Sequence, residues 1–177
     1  MISQDAGKRQ YKQTHTSAVI RSAKFLTFFL AEEEYGLEIL KVQEILGLLP
    51  ITRVPQAPEF MRGVINLRGK VIPTIDARLK FGMPAVEATN ETCIIVVHVR
   101  GMDVGVIVDR VSEVIDIPEE QIEPPPSFGL GFNTDLILGI GKVQDRAKLL
   151  LNIDRIILAD EFSRIEKTNT VTEKMAS

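Results

Sequence analysis

Gly63-Val-Ile-Asn-Leu-Arg-Gly-Lys-Val-Ile-Pro-Thr-Ile-Asp76 sets two β-branched runs on either side of a polar centre, Arg68-Gly69-Lys70. That order is strand, tight turn with a glycine free to take positive φ, strand, and it predicts a β-hairpin. Pro73 has no amide proton, which places the second strand at a sheet edge or beside a bulge. Asp76 closes that strand and is positioned to N-cap a short helix, Ala77-Arg-Leu-Lys-Phe81, that Gly82 ends. Arg68 lies at the tip. A guanidinium in a tight turn is either aimed outward or clamped to a carboxylate, and both arrangements suit recognition better than catalysis.

Outward from this stretch the same grammar recurs. Residues 25–30 and 35–38 form a strand pair about an acidic turn at 31–34. Residues 39–46 fit helical and alternating spacing almost equally, and the preferred reading is one helical turn at 39–41 followed by a strand from Val42 to about Leu49. Ile51-Thr-Arg-Val54 continues that strand past Pro50, residues 55–58 are a loop, and Glu59-Phe-Met-Arg62 is a helical turn. A second aliphatic block gives strands at 91–99 and 104–108 about Arg100-Gly-Met-Asp103, then a strand at 111–117 and a helical turn with Pro118 at its first position. A Pro-, Gly- and Phe-rich loop spans 124–134. Strands at 136–143 and 148–153, turning at Asp145-Arg146, lead into a short helix over 154–162. Residues 1–23 read as a disordered polar arm and 163–177 as a flexible tail, leaving 24–162 as the folded unit. About ten short strands punctuated by glycine turns predict an all-β fold. Closure hides aliphatic edges, and with aromatics only 6% of the chain, two five-stranded barrels sharing an apolar core fit better than one wide barrel.

Composition excludes several classes of function. With 21 basic and 24 acidic residues the net charge is −3, which argues against a basic nucleic-acid face. The single cysteine, Cys93, excludes an internal disulfide and fits a reducing compartment. No apolar run approaches the roughly 20 residues of a membrane span, and the first 21 residues lack a signal-peptide core. The expected location is cytoplasmic. His15 and His98 are far apart and do not assemble a metal site or a Cys-His dyad with Cys93. Gly139-Ile-Gly-Lys142 fails as a phosphate loop, because Val143 stands where Ser or Thr is required. No cofactor, metal or catalytic residue is expected.

Several segments together carry a resemblance: Tyr35-Gly-Leu-Glu-Ile-Leu-Lys-Val-Gln-Glu-Ile45, Gly63-Val-Ile-Asn-Leu-Arg-Gly69, Val71-Ile-Pro-Thr-Ile-Asp-Ala-Arg-Leu-Lys-Phe81, Gly105-Val-Ile-Val-Asp-Arg-Val-Ser-Glu-Val114, Pro118-Glu-Glu-Gln-Ile122 and Leu149-Leu-Leu-Asn-Ile153. In this order they resemble the CheW family of bacterial chemotaxis coupling proteins over about residues 25–162. The resemblance implies two SH3-like barrels and a non-enzymatic adaptor joining chemoreceptor tips to the histidine kinase CheA. The complete β grammar with no ligand cluster predicts a monomer or weak self-associator, expected to work within receptor arrays. The resemblance matches Glu44 and Arg68 to the family's paired acidic and basic residues in the receptor-facing region, and Val42 and Gly63 to neighbouring functional positions. The residues alone leave Gly63 open between a turn glycine and a close-approach glycine. Phe128, flanked by Pro and Gly, is open between a partner anchor and a lid on its own core. The rival readings are a small-molecule-binding barrel, which needs a polar pocket, and a nucleic-acid-binding barrel, which needs exposed aromatics interleaved with Lys and Arg.

Overall fold

A computed structural model describes residues 21–125 and 134–157. In chain order its strands are β1 (Ser22–Leu30), β2 (Glu33–Glu38), β3 (Val42–Gly47), β4 (Met61–Leu67), β5 (Lys70–Asp76), β6 (Cys93–Val99), β7 (Met102–Val108), β8 (Arg110–Pro118), β9 (Ile122–Glu123), β10 (Ile137–Val143) and β11 (Arg146–Leu151). Helix α1 (Ala77–Lys80) follows β5, and α2 (Ile153–Ile156) follows β11. A 3-10 turn, Ile39–Lys41, separates β2 from β3, as the ambiguous spacing there favoured.

The strands form two sheets. The first has the order β8-β1-β2-β11-β10-β9, and its two edge strands, β8 and β9, are consecutive in the chain across a single 3-10 turn, Glu119–Gln121. They act as one bent strand, so the sheet curls until its edges meet, and the expected five staves become six counted strands. The second has the order β3-β6-β7-β5-β4. Its edges are joined by Thr52, which exchanges two backbone hydrogen bonds of 2.9 Å with Val64 of β4. The first sheet therefore combines the two ends of the chain, while the second is built from the contiguous middle.

Alternation along each strand divides the aliphatic residues among four clusters, the smallest of them Met61 and Val64. Phe25, Ile117 and Leu150 fill the first sheet's interior, and Ile65, Ile72, Ile94 and Val96 fill the second's. The opposite faces meet in a larger shared core of Leu26, Phe28, Leu30, Leu37, Ile95, Val97, Val104, Val106 and their neighbours. On β6 the even residues 94 and 96 face into their own sheet and the odd residues 95, 97 and 99 face the partner sheet. A strand buried on both faces is why this run is continuously apolar. Phe28 stacks on Tyr35 and Tyr35 on Phe81, both at 5.8 Å, carrying the aromatic contact from the first sheet to α1. Phe25 and Phe28 are thus core residues and are not available as a stacking platform for bases.

Several expectations need correction. Residues 51–54 do not continue β3 as a strand; between Pro50 and Pro55 they contribute only the Thr52 bridge. Residues 59–62 are not helical. A single Met61 N–H to Pro58 carbonyl bond of 2.9 Å makes a turn, and β4 starts at Met61. The last strand runs Arg146–Leu151 after a turn at Gln144-Asp145, with φ 50° and 61°. It stops before Ile153 because the Asn152 side chain accepts from the Arg155 amide and N-caps α2. Pro118 ends β8 in extended geometry instead of opening the helical turn. Pairing begins at Ser22, opposite Pro118. Of the two placements open to Pro73, an edge or a bulge, the second holds, since β5 lies inside the sheet. It sits beside the register shift between Met61 and Gly63 and just before the β5 ladder to β7 begins at Thr74. Asp76 caps α1 as expected, its side chain accepting from Leu79 N–H at 3.2 Å.

Asp109 ties the two sheets together. Its carboxylate accepts from the Arg78 fork after β5 and, at 2.7 Å, from the Ala31 amide in the β1–β2 turn. The Arg78 hydrogen bond above all, with the Ala31 amide and the guanidinium charge adding to it, outweighs partial burial and holds Asp109 below the usual carboxylate range. A depressed folded pKa contributes stability that is fully present above the unfolded value of about 3.9 and is lost as pH falls through the folded value. The unfolding midpoint of Asp109→Asn is therefore expected to lie below that of the native chain at neutral pH. The two midpoints should converge in acid below about pH 4. Denaturant melts across that range check this; a constant offset at all pH values refutes it.

Candidate interaction site

The β4–β5 turn has Arg68 at φ 52° and Gly69 at φ 83°, two consecutive left-handed residues of the kind type I′ turns require. Asn66 Oδ1 accepts from Gly69 N–H at 2.9 Å and fixes the loop. From this tip the Arg68 guanidinium reaches Glu44 on β3 as a fork: Nη1 to Oε1 at 3.0 Å and Nη2 to Oε2 at 2.5 Å. β3 and β4 are the two edges of the second sheet, so the pair spans its seam on the outside, as the Thr52 bridge spans it through the backbone. The Arg68 side chain is 71% exposed and that of Glu44 32%. The shared hydrogen bonds, with the opposite charge behind them, lower the Glu44 pKa and raise that of Arg68, so both stay charged. Planar, bidentate and charged, the pair is a fixed feature on the surface.

Val42 lies two residues before Glu44 but faces elsewhere. The register of β3 on β6 shifts between Val42, opposite Val97, and Glu44, opposite Val96. Val97 belongs to the shared core and Val96 to the second sheet's interior. A bulge at Gln43 has turned two side chains that alternation would put on one face to opposite faces. Val42 packs half-buried against the shared core, while Glu44 is left at the rim where Arg68 meets it.

The family model for the CheW-like domain matches residues 24–161. The chain belongs to the CheW family. It is similar to the chemotaxis protein CheW of Klebsiella aerogenes, 39% identical over 143 residues, covering 81% of this chain and 86% of the relative. The CheW of Helicobacter pylori is also 39% identical, over 137 residues, covering 77% and 82%. Among solved structures, the scaffolding protein TtCheW from Thermoanaerobacter tengcongensis superposes with a TM-score of 0.73 at 39% identity, covering 80% of this chain and 96% of that one.

Within this CheW-like domain the structure gives Gly63 a close-approach reason. At φ 144°, a Cβ there would stand 2.0 Å from the Thr52 carbonyl oxygen, so only glycine lets the seam close. Phe128 lies outside the described residues.

Sequence reasoning missed a row of three polar side chains and two exposed apolar ones. Lys70 donates to Asp103 Oδ2 at 2.6 Å, and His98 Nδ1 lies 2.6 Å from Asp103 Oδ1. This row crosses β5, β7 and β6 at the end that carries Arg68. Because β5 and β7 run parallel, the Arg68-Gly69 and Arg100-Gly101 turns come to the same end. Leu40, 91% exposed in the 3-10 turn, and Ile45, 44% exposed on β3, are exposed apolar side chains on the same chain segment as Val42 and Glu44. Their signal was the overlap of two periods in residues 39–46, a segment that satisfies neither a buried helix nor a buried strand. Among the described residues no His, Cys, Asp and Glu cluster is arranged to hold a metal ion, and no helix is long and apolar enough to cross a membrane.

Proposed function

We propose that this chain is a non-enzymatic, cytoplasmic adaptor that couples the cytoplasmic tips of chemoreceptors to the histidine kinase CheA in chemotaxis signalling. The single observation that carries the reading is the Glu44–Arg68 fork, rigid and solvent-facing at the seam of the second sheet, in a chain of the CheW family. Fixed charges set the register of a protein partner, and exposed Leu40 and Ile45 on the segment that carries Glu44 offer apolar contact area. On this reading Val42, Glu44, Gly63 and Arg68 form or support the receptor side, Phe128 serves a separate partner contact, and the adaptor acts as a monomer or weak self-associator within receptor arrays.

The test is assembly. Receptor tips displayed on vesicles, mixed with CheA, should retain the kinase in the pellet only when this chain is added, with all three components sedimenting together. Equal kinase retention without the chain, or a chain that stays in the supernatant, sinks the reading. Adding single-stranded DNA or a nucleotide to the same mixture should change nothing.

A further inference from the structure

Away from the Arg68 turn, a cleft of about 400 Å³ opens between the segment after β3, the start of α1 and the chain leading into β6. That volume falls in the range of small-ligand sites. Its apolar part is Ile51 and Ile107 together with two side chains left in water, Leu48 at 42% and Val86 at 53% exposure. Three guanidiniums, Arg53, Arg62 and Arg78, line the same space.

The carboxylates in the cleft are already engaged. Asp76 takes Arg62 Nε and Nη2 on one oxygen, at 3.2 and 3.1 Å, and caps α1 with the other. Asp109 takes the Arg78 fork and the Ala31 amide. The Nη1 groups of Arg62 and Arg78 make no hydrogen bond among the described residues, and Arg53 has no ion-pair or hydrogen-bond partner among them. Glu87, exposed at the rim, pairs with none of the three. Planar N–H donors without acceptors, set beside exposed aliphatic side chains, match one chemistry: a carboxylate carried on a short aliphatic body. A bare inorganic anion leaves the apolar wall in water, and a neutral alkyl chain leaves the guanidiniums unmatched.

We propose that this cleft is a binding site for an aliphatic carboxylate, with Arg53 as the principal carboxylate ligand and Leu48 and Val86 against the alkyl chain. The carboxylate belongs either to a free organic acid or to an acidic side chain of a protein partner. The site is independent of the adaptor surface at Arg68, so either assignment can fail without the other.

The probe is sodium hexanoate, titrated into the isotopically labelled full chain and followed by amide and arginine Nε–Hε resonances. Hexanoate should shift resonances at residues 51–53 and 86–88 together with the side chains of Arg62 and Arg78. Hexan-1-ol and inorganic phosphate should each shift them far less. Arg53→Ala, which removes no hydrogen bond or ion pair among the described residues, should melt like the native chain and weaken hexanoate by about tenfold or more. A blocked Leu-Glu-Leu peptide that displaces hexanoate with higher affinity assigns the carboxylate to a protein partner; weaker displacement assigns it to a free acid. The proposal is overturned if hexanoate moves none of these resonances at concentrations that leave the melt unchanged. Phosphate binding as well as hexanoate, or Arg53→Ala binding like the native chain, overturns it equally.

Discussion

Lys148→Met is expected to destabilise the fold by about 3–5 kcal/mol, the usual consequence of removing one partner of a buried ion pair. The Lys148 side chain is 6% exposed on the interior face of β11, one alternation from Leu150. Its Nζ lies 3.1 Å from Glu34 Oε1 of β2 and 3.3 Å from Glu113 Oε1 of β8. Glu34 is itself 10% exposed, and its Oε1 makes no hydrogen bond among the described residues, so the lysine is its counter-charge. Thr27, fully buried at the β1 bulge, bonds the Glu113 backbone at 3.1 and 3.2 Å and fixes β8 where Glu113 meets Lys148. Methionine preserves the length of the side chain but leaves a carboxylate in a poorly solvated site. The double variant Lys148→Met with Glu34→Leu should recover most of the loss, because a packed apolar pair replaces a buried ionic one at little net cost. Denaturant melts of both variants decide it. If the single variant is as stable as the native chain, Glu34 is solvated and the buried pair has no structural role.

Arg68→Asn is expected to leave the unfolding midpoint unchanged or raised, and to weaken receptor binding by about tenfold or more. Asn-Gly is the favoured pair for a type I′ turn, and Arg is a poor occupant of a left-handed position. By turn chemistry alone the sequence at 68–69 is not the best one for folding. The Glu44–Arg68 pair is solvent-screened, and such pairs contribute little to stability. Recognition accounts better for an arginine at this tip. Arg68→Glu should bind receptor more weakly still, through repulsion from Glu44. The exchange Glu44→Arg with Arg68→Glu separates two mechanisms. Restored binding means the pair holds the shape of the surface; a lasting defect means Arg68 itself touches the receptor. Receptor co-sedimentation, run beside melts of each variant, is the measurement. A folded Arg68→Glu that binds receptor normally would falsify the assignment of this site.

Features set within a few residues were legible in the sequence. Gly69 and Gly101 take positive φ, Asp76 caps α1, and two β-branched runs about a polar turn mark the central hairpin, because turn and cap chemistry is decided by immediate neighbours. Errors gathered where local signals conflict. Ile51 to Val54 has the composition of a strand but makes one bridge between two prolines. Ile153 continues an aliphatic run yet opens a helix, because Asn152 caps it. The Glu44–Arg68 pairing came from family likeness, since 24 residues of chain separate the two and no spacing rule joins them. Only the tertiary structure decided that β2 runs parallel to β11, that β5 runs parallel to β7, and that Thr52 closes the second sheet against Gly63. It alone brought Lys148 to Glu34 and set three arginines around one cleft. Sequence by itself determined which segments extend and which turn, through steric and hydrogen-bonding preferences that act over a few bonds. Which distant strands meet, and therefore which charges are buried and which are displayed, depends on burying all the apolar faces at once, a condition that belongs to the whole chain.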